Sequence, residues 1–386
     1  MTNLLVIVVL ILLSIALWQL TKIFHLTQVG RKKDDSQVAN DKDNNIQGYV
    51  MFAFLAFIYI FTIYGMWKWG NLVLSNPSSE HGAEIDSLMN ITWVVIFFVQ
   101  AVTQVLLHYF AFKYRGKKEN KATYFADSTK LEVIWSVIPA GVLAVLILYG
   151  LYAWTNIMFV NEKTEDVMIV EIYAKQFGWE VRYAGKDNVL GKANVRYIDG
   201  VNSVGMDLND PNAQDDKTVT GEFHIPTGKK ILFKMRSQDV LHSAYMPHFR
   251  AQMNCVPGMV TQFAFTPTIT TADRRVMQDM MEKVNNINKI RSQKSQELIA
   301  EGKTPLDPYQ FDYLLLCNKI CGASHYNMQM KLVVDTPSDF KEWLASKSTL
   351  SKAFKESKAA DEKPADTTAT AALGDMSKTI AQNMKK

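Results

Sequence analysis

CNKICGASHYNM, residues 317–328, sets the reading of this chain. It spaces Cys317, Cys321, His325 and Met328 as C-x3-C-x3-H-x2-M. Two thiolates, an imidazole and a thioether are soft or borderline ligands, a mixture that suits copper. A short loop can bring all four to one centre. Upstream, QDVLHSAYMP (238–247) places a second imidazole, His242, at the end of an apolar, strand-like run. Zinc prefers C-x2-C pairs and does not use Met. A single blue-copper centre needs only one thiolate, whereas two thiolates allow two copper ions bridged by both sulfurs, each with one imidazole. A Cys317–Cys321 disulfide is possible outside the cytoplasm, but it leaves the His and Met spacing unexplained. No C-x-x-C-H is present for covalent haem.

Around this segment lie short alternating runs, at 167–173, 179–183, 222–225, 230–235 and 260–266. They are rich in β-branched and aromatic residues and bounded by Gly, Pro or Asp, which predicts an antiparallel sandwich or barrel. Residues 184–220 are polar and Gly/Asn/Asp-rich, a long loop or hairpin insertion. Residues 271–301 place Val276, Met280, Val284 and Ile287 at helical spacing, so a helix or helical hairpin is inserted there. Its Met-rich face is read as a packing face. From Ser346 the chain has few bulky apolar residues, and a tail over 345–386 is expected to be disordered.

The N-terminal part is different. Four apolar runs, 4–20, 48–67, 91–112 and 133–154, are each about long enough to span a ~30 Å hydrocarbon core. The last three hold no Lys, Arg, Asp or Glu. Trp67, Trp69, Tyr152 and Trp154 sit at their ends, as interfacial aromatics do. Arg31, Lys32, Lys33 and Lys42 follow the first run, and Lys113, Arg115, Lys117, Lys118, Lys121 and Lys130 follow the third, while 70–90 carries no Lys or Arg. The positive-inside rule then puts both termini, and everything after Trp154, outside the cytoplasm. The first run has no basic residue before it and no obvious cleavage site, so it reads as a span rather than a signal peptide.

Composition narrows the function classes. The chain has 386 residues, 48% hydrophobic and 21% charged, with a net charge of +4. That charge, without a basic-aromatic stripe, argues against nucleic acid. Three cysteines exclude a disulfide-stapled scaffold.

The sequence resembles subunit II of the haem–copper cytochrome c oxidases from about residue 122 to 337. The matching pieces are LEVIWSVIPA (131–140), AKQFGWEVRY (174–183), DVLHSAYMP with VPG downstream, and CNKICGASHYNM. The resemblance implies a membrane-anchored chain with a transmembrane helical hairpin (91–157). An extracytoplasmic cupredoxin-like antiparallel β barrel follows (158–344), with insertions at 184–220 and 268–308. Residues 1–90, with two extra spans, fall outside it. The implied activity is that of the electron-accepting subunit of a proton-translocating oxidoreductase. Electrons from cytochrome c, or from a haem subunit of a neighbouring complex, reach a dinuclear copper centre (CuA). They pass to haem in subunit I, where oxygen is reduced to water. The implied partners are subunit I, other oxidase subunits and membrane lipid, in a bacterial-type plasma membrane.

By the same resemblance the copper side-chain ligands are His242, Cys317, Cys321, His325 and Met328, with the backbone carbonyl of Lys319 as a sixth. The family usually has Glu at that position, and its side chain binds magnesium at the subunit I boundary. Lysine offers no carboxylate, and its ammonium would repel the ion, which puts magnesium in doubt. The family's Gln-Trp-aromatic-Trp run reads here as Gln176-Phe177-Gly178-Trp179, so electrons come in at Phe177 or at Trp179. Glu132 matches a carboxylate near the inner mouth of the proton channel. Cys255 has no family metal role and reads as a small buried hydrophobe. Asn254 stands where the family commonly has an acid. Asp207, Asp210, Asp215 and Asp216 then form the densest acidic cluster and a candidate docking patch. Two rivals stand beside this reading: a copper-free quinol oxidase subunit II, and a membrane-tethered thiol oxidoreductase or copper chaperone.

Overall fold

The computed structural model describes residues 2–30, 40–70, 75–162 and 165–361. Four long helices come first: α1 (Thr2–Gly30), α2 (Asp41–Trp69), α3 (Glu80–Lys113) and α4 (Thr129–Met158). Among the described residues α2, α3 and α4 are long and apolar enough to cross a membrane. The described apolar stretch of α1, Val8–Ile23, is shorter. Of the four expected spans, three therefore meet the requirement. The basic residues Arg31, Lys32 and Lys33 lie outside the described residues.

The Asn40 side chain caps α2 by accepting the Asp43 N–H, satisfying one of the free donors of the first turn. α2 pairs with α3. Gly48 is required there, because a Cβ would come within 2.6 Å of the Phe112 ring. The Tyr59 hydroxyl donates to the Ala101 carbonyl at 3.0 Å, since a polar group at membrane depth must find its partner within the protein.

The described residues form two compact units, and 75–89 belongs with 144–361 in the second. In that unit Arg250 grips Asp86 with two bonds of 2.7 Å, and the Ser79 hydroxyl donates to the Phe249 carbonyl at 2.7 Å.

Two five-stranded sheets make up the outer domain. One holds β1 (Val167–Lys175), β2 (Gly178–Tyr183), β3 (Lys217–Val219), β5 (Lys230–Ser237) and β8 (Thr261–Phe265), in the order β3-β2-β1-β5-β8. The other holds β4 (Glu222–Pro226), β6 (His242–Met246), β7 (Ala251–Cys255), β9 (Tyr313–Cys317) and β10 (Gln329–Asp335), in the order β4-β10-β9-β6-β7. Two pairs, β1 with β5 and β4 with β10, run parallel rather than antiparallel. Both join strands far apart in sequence, where the chain has room for the crossover that parallel pairing needs.

Period-2 alternation fills the space between the sheets. Met330, Leu332 and Val334 point inward from β10, and Phe233, Phe265, Phe249 and Tyr313 stack in series with centroids 4.7–5.1 Å apart. On β1 the opposite face is buried as well. Residues 184–220 fold back over it, packing Val204, Met206 and Ala213 on Tyr173. Beneath this cover Arg182 bonds Glu171 at 2.6 Å and Asp216 at 3.0 Å, and Arg236 pairs with Glu171.

The insertion after β8 is two helices, α5 (Thr271–Val276) and α6 (Gln278–Ala300), broken at Met277. Arg274 is fully buried and spans the break to Asp279. Met280 is buried and Val284 packs on the core, whereas Val276 is exposed. The chain returns along α6: Asn288 exchanges two hydrogen bonds with Tyr309, and Ser295 accepts the Leu306 N–H. The ends of the insertion are held together beside β9 by Arg275, which donates to the Phe311 carbonyl at 2.8 Å and pairs with Asp312 at 2.6 Å.

After β10, Thr336 caps α7 (Pro337–Ser346), whose Phe340 is buried. Residues 350–361, expected to be disordered, instead form α8 (Leu350–Asp361). Its anchors are few but specific. Leu350 is buried against the 184–220 cover, its N–H donates to the Asp216 carbonyl, and Ser351 bonds Gln214 at 2.8 Å. Burying one leucine is worth about 1.5–3 kcal/mol, which offsets part of the cost of ordering the first turn. The rest of the expected tail, 362–386, lies outside the described residues.

Candidate metal centre

The end of β9 and the start of β6 set the site. Antiparallel pairing of β6 with β9 puts Ala244 opposite Cys317, so His242 and Cys317 emerge side by side although 75 positions apart. His242 Nδ1 lies 3.8 Å from the Cys317 sulfur, which lies 3.9 Å from the Cys321 sulfur. The Cys321 sulfur in turn lies 3.7 Å from His325 Nδ1 and 3.8 Å from the Met328 sulfur. The Lys319 carbonyl is 3.3 Å from the Cys317 sulfur. All five soft donors named from the sequence thus converge, and the donor atoms of His242, Cys317 and Cys321 lie within 4.8 Å of one another.

The loop is shaped by one glycine. Gly322 has a φ of 142°, and a Cβ there would lie 2.8 Å from the Phe177 ring. The Phe177 side chain therefore packs directly on the ligand loop, at 41% exposure. Trp179, by contrast, is buried. Its Nε1–H points to the Met328 carbonyl at 3.4 Å, and its ring stands edge-on to His242 at 6.3 Å.

Two residues that sequence reasoning passed over surround the ligands. Asp239 accepts the His242 Nε2–H at 2.9 Å, the Gln176 backbone N–H at 2.7 Å and the Val240 N–H at 2.7 Å. Burial works against its ionisation, but these donors outweigh it and hold the carboxyl below its ordinary range. The bond to Nε2 leaves the Nδ1 lone pair of His242 facing the sulfurs. Gln176 also donates its side-chain amide to the Cys321 carbonyl. The signal was present in DVLH: an acid three residues before a ligand histidine.

The donor set fits a copper pair. All three cysteines are free, and sulfurs 3.9 Å apart are far beyond the ~2.05 Å of a disulfide. Burial, and then the neighbouring Cys317, pushes the Cys321 thiol up to about 11. Two adjacent thiolates therefore call for a cation between them. Cys255 pairs with His242 in the β6–β7 register and is fully buried, and burial pushes its thiol up to about 12.

Other candidates fall elsewhere. Glu132 is exposed in the first turn of α4, in the other unit. The four acidic residues do not share one exposed surface. Asp216 is fully buried, and Asp207, Asp210 and Asp215 accept backbone N–H groups of their own loop.

Known protein families match two parts of the chain. The transmembrane domain of cytochrome c oxidase subunit II matches residues 67–153, and its periplasmic domain matches 168–273. The alternative cytochrome c oxidase subunit 2 of Bradyrhizobium diazoefficiens is 32% identical over 292 residues, covering 75% of this chain and 87% of its own. The chain belongs to the cytochrome c oxidase subunit II family. The cytochrome c oxidase subunit 2 of Thermostichus vulcanus is 22% identical over 299 residues, covering 70% of this chain and 77% of its own. The solved periplasmic domain of subunit II of cytochrome oxidase from Bradyrhizobium japonicum covers 46% of this chain and 91% of its own. The identity there is 17% and the TM-score 0.27. As a subunit II, the chain joins transmembrane helices to an extracytoplasmic cupredoxin-like domain. The α1–α2 region up to residue 66 lies outside the family match.

Proposed function

We propose that this chain is the electron-accepting subunit of a cytochrome c oxidase. It takes electrons from cytochrome c, or from a haem subunit of a neighbouring complex, at a dinuclear CuA centre. It passes them to haem in subunit I, where oxygen is reduced to water with proton translocation. The observation that supports this most is the convergence of two unbridged thiols, two imidazoles and a thioether on one centre.

Each residue has a distinct task. Cys317 and Cys321 would hold a copper pair through their two thiolates. His242 and His325 each bring Nδ1 to one sulfur, and Met328 and the Lys319 carbonyl complete the set. When bound, a copper pair supplies one-electron redox chemistry delocalised over two metals. Burial of His242, Cys321 and Met328 keeps water from the donors.

Phe177 is the proposed point at which electrons come in, because its ring is exposed and touches the ligand loop. Trp179 supports the loop from behind. Ile320 and Tyr326 stand almost fully exposed on the same loop, the kind of apolar surface that marks a protein contact. The exposed Lys319 side chain does not fit the magnesium role, and no step is assigned to that ion. Glu132 is proposed at the mouth of the proton channel. The membrane is a bacterial-type plasma membrane, with subunit I and lipid against the apolar helices.

Metal analysis and spectroscopy of the full chain, loaded with copper in detergent, test this reading. Two coppers per chain support it. A copper-free chain with an intact fold would point to the quinol oxidase type.

A further inference from the structure

The hydrogen bonds around Gln176 form a connected figure. Its backbone N–H reaches the Asp239 carboxylate at 2.7 Å, which holds His242 Nε2 at 2.9 Å. Its side-chain amide reaches the Cys321 carbonyl. One residue therefore touches both halves of the ligand set, which lie on segments remote in sequence. Phe177 is its immediate neighbour and packs on Gly322, next to Cys321.

We infer that Gln176, with Asp239, is a two-armed brace that fixes the separation of His242 from Cys321 and ties both to the surface point at Phe177. This rests on the copper reading above. The physical case is one of constraint. A β-strand end and a loop would otherwise vary independently, and a redox centre works fastest when its ligands do not move as charge changes. Asp239 fixes the tautomer and tilt of the His242 ring. Gln176 fixes the loop carbonyl beside Cys321, and through its own N–H it also orients Asp239. Both are positioning residues, since neither offers an atom to the metal. The same bonds give two through-bond routes from residues 176–177, one to each half of the centre.

The test uses the full chain in detergent, loaded with equal amounts of copper(I) and copper(II). Gln176→Ala keeps the backbone N–H and removes one arm; Asp239→Ala removes the other. Each should shift the reduction potential and slow reduction by cytochrome c roughly tenfold or more, as loss of a supporting partner does, with copper stoichiometry retained. The double variant should be no worse than the more affected single one, because connected groups are not additive. Additive shifts, or a Gln176→Ala chain with the wild-type potential, would overturn the brace.

A metal-free measurement separates this from the copper reading. In the wild-type chain without metal, the His242 ring nitrogens should report a single tautomer with the proton on Nε2, and Asp239→Ala should give a mixture. A mixture already in the wild type would overturn the brace even if copper binds. No copper in the wild type with a single tautomer would overturn the copper reading and leave the brace.

Discussion

The Cys317 sulfur lies 3.9 Å from the Cys321 sulfur, which lets one ion touch both at a thiolate bond length of about 2.3 Å. The two thiols are held apart by β9 on one side and the Gly322 turn on the other. Neither sulfur is replaceable on this geometry. Cys321→Ser should abolish the mixed-valence copper spectrum, because a hydroxyl is a poor ligand for a soft metal. The spectrum of the copper-loaded variant checks this, and a wild-type signal would contradict it.

Met328 has a different weight. Its sulfur stands 3.8 Å from that of Cys321, and a thioether is a weak, axial-type ligand. Met328→Leu should keep both coppers, move the reduction potential and slow turnover. Loss of all copper would show that Met328 holds the metal rather than tuning it.

The buried ion network under residues 184–220 gives a stability prediction. Burial raises the Asp216 carboxyl to about 6, and Arg182 only partly opposes the shift. The folded chain thus binds this proton more tightly than the unfolded chain, where a carboxyl titrates near 3.9. Its contribution is fully present below about pH 4 and is lost as the pH climbs through about 6. Asp216→Asn should flatten this part of the pH profile of thermal unfolding. Arg182→Leu should cost about 3–5 kcal/mol, because it leaves the buried Asp216 carboxylate without its cation while Glu171 keeps Arg236. A loss within 1 kcal/mol would mean that water reaches the network.

Much of this was legible in the sequence. The C-x3-C-x3-H-x2-M spacing, with His242 of the upstream DVLH, led to five donors that do converge, and the alternating runs led to the sheets. Composition reads the 184–220 segment as a polar loop or hairpin insertion, with no packing role. Three of its apolar residues, Val204, Met206 and Ala213, cover Tyr173, and no spacing in the segment sets them apart from the rest. The tail misled for a similar reason: composition counts apolar residues, while α8 is anchored by a leucine, hydrogen bonds of Leu350 and Ser351, and the Lys358–Asp199 ion pair. Asp239 was visible in DVLH, but its link to Gln176 needs a fold that brings residues 176 and 239 together.

The acidic cluster now carries the opposite expectation to the one composition suggested. Asp207, Asp210 and Asp215 are engaged by backbone donors, and Asp216 faces Arg182. Changing the first three to Asn should leave the second-order rate with a basic cytochrome c unchanged at ~20 mM salt, where screening is weak. A lower rate with a flatter salt dependence would restore these residues as a docking patch.

The most direct test of the central claim is the electron paramagnetic resonance spectrum of the full chain loaded with copper, recorded with its copper content. The proposed function predicts two coppers per chain and one unpaired electron delocalised over both. A spectrum of isolated single coppers, or a folded chain that binds none, would contradict it.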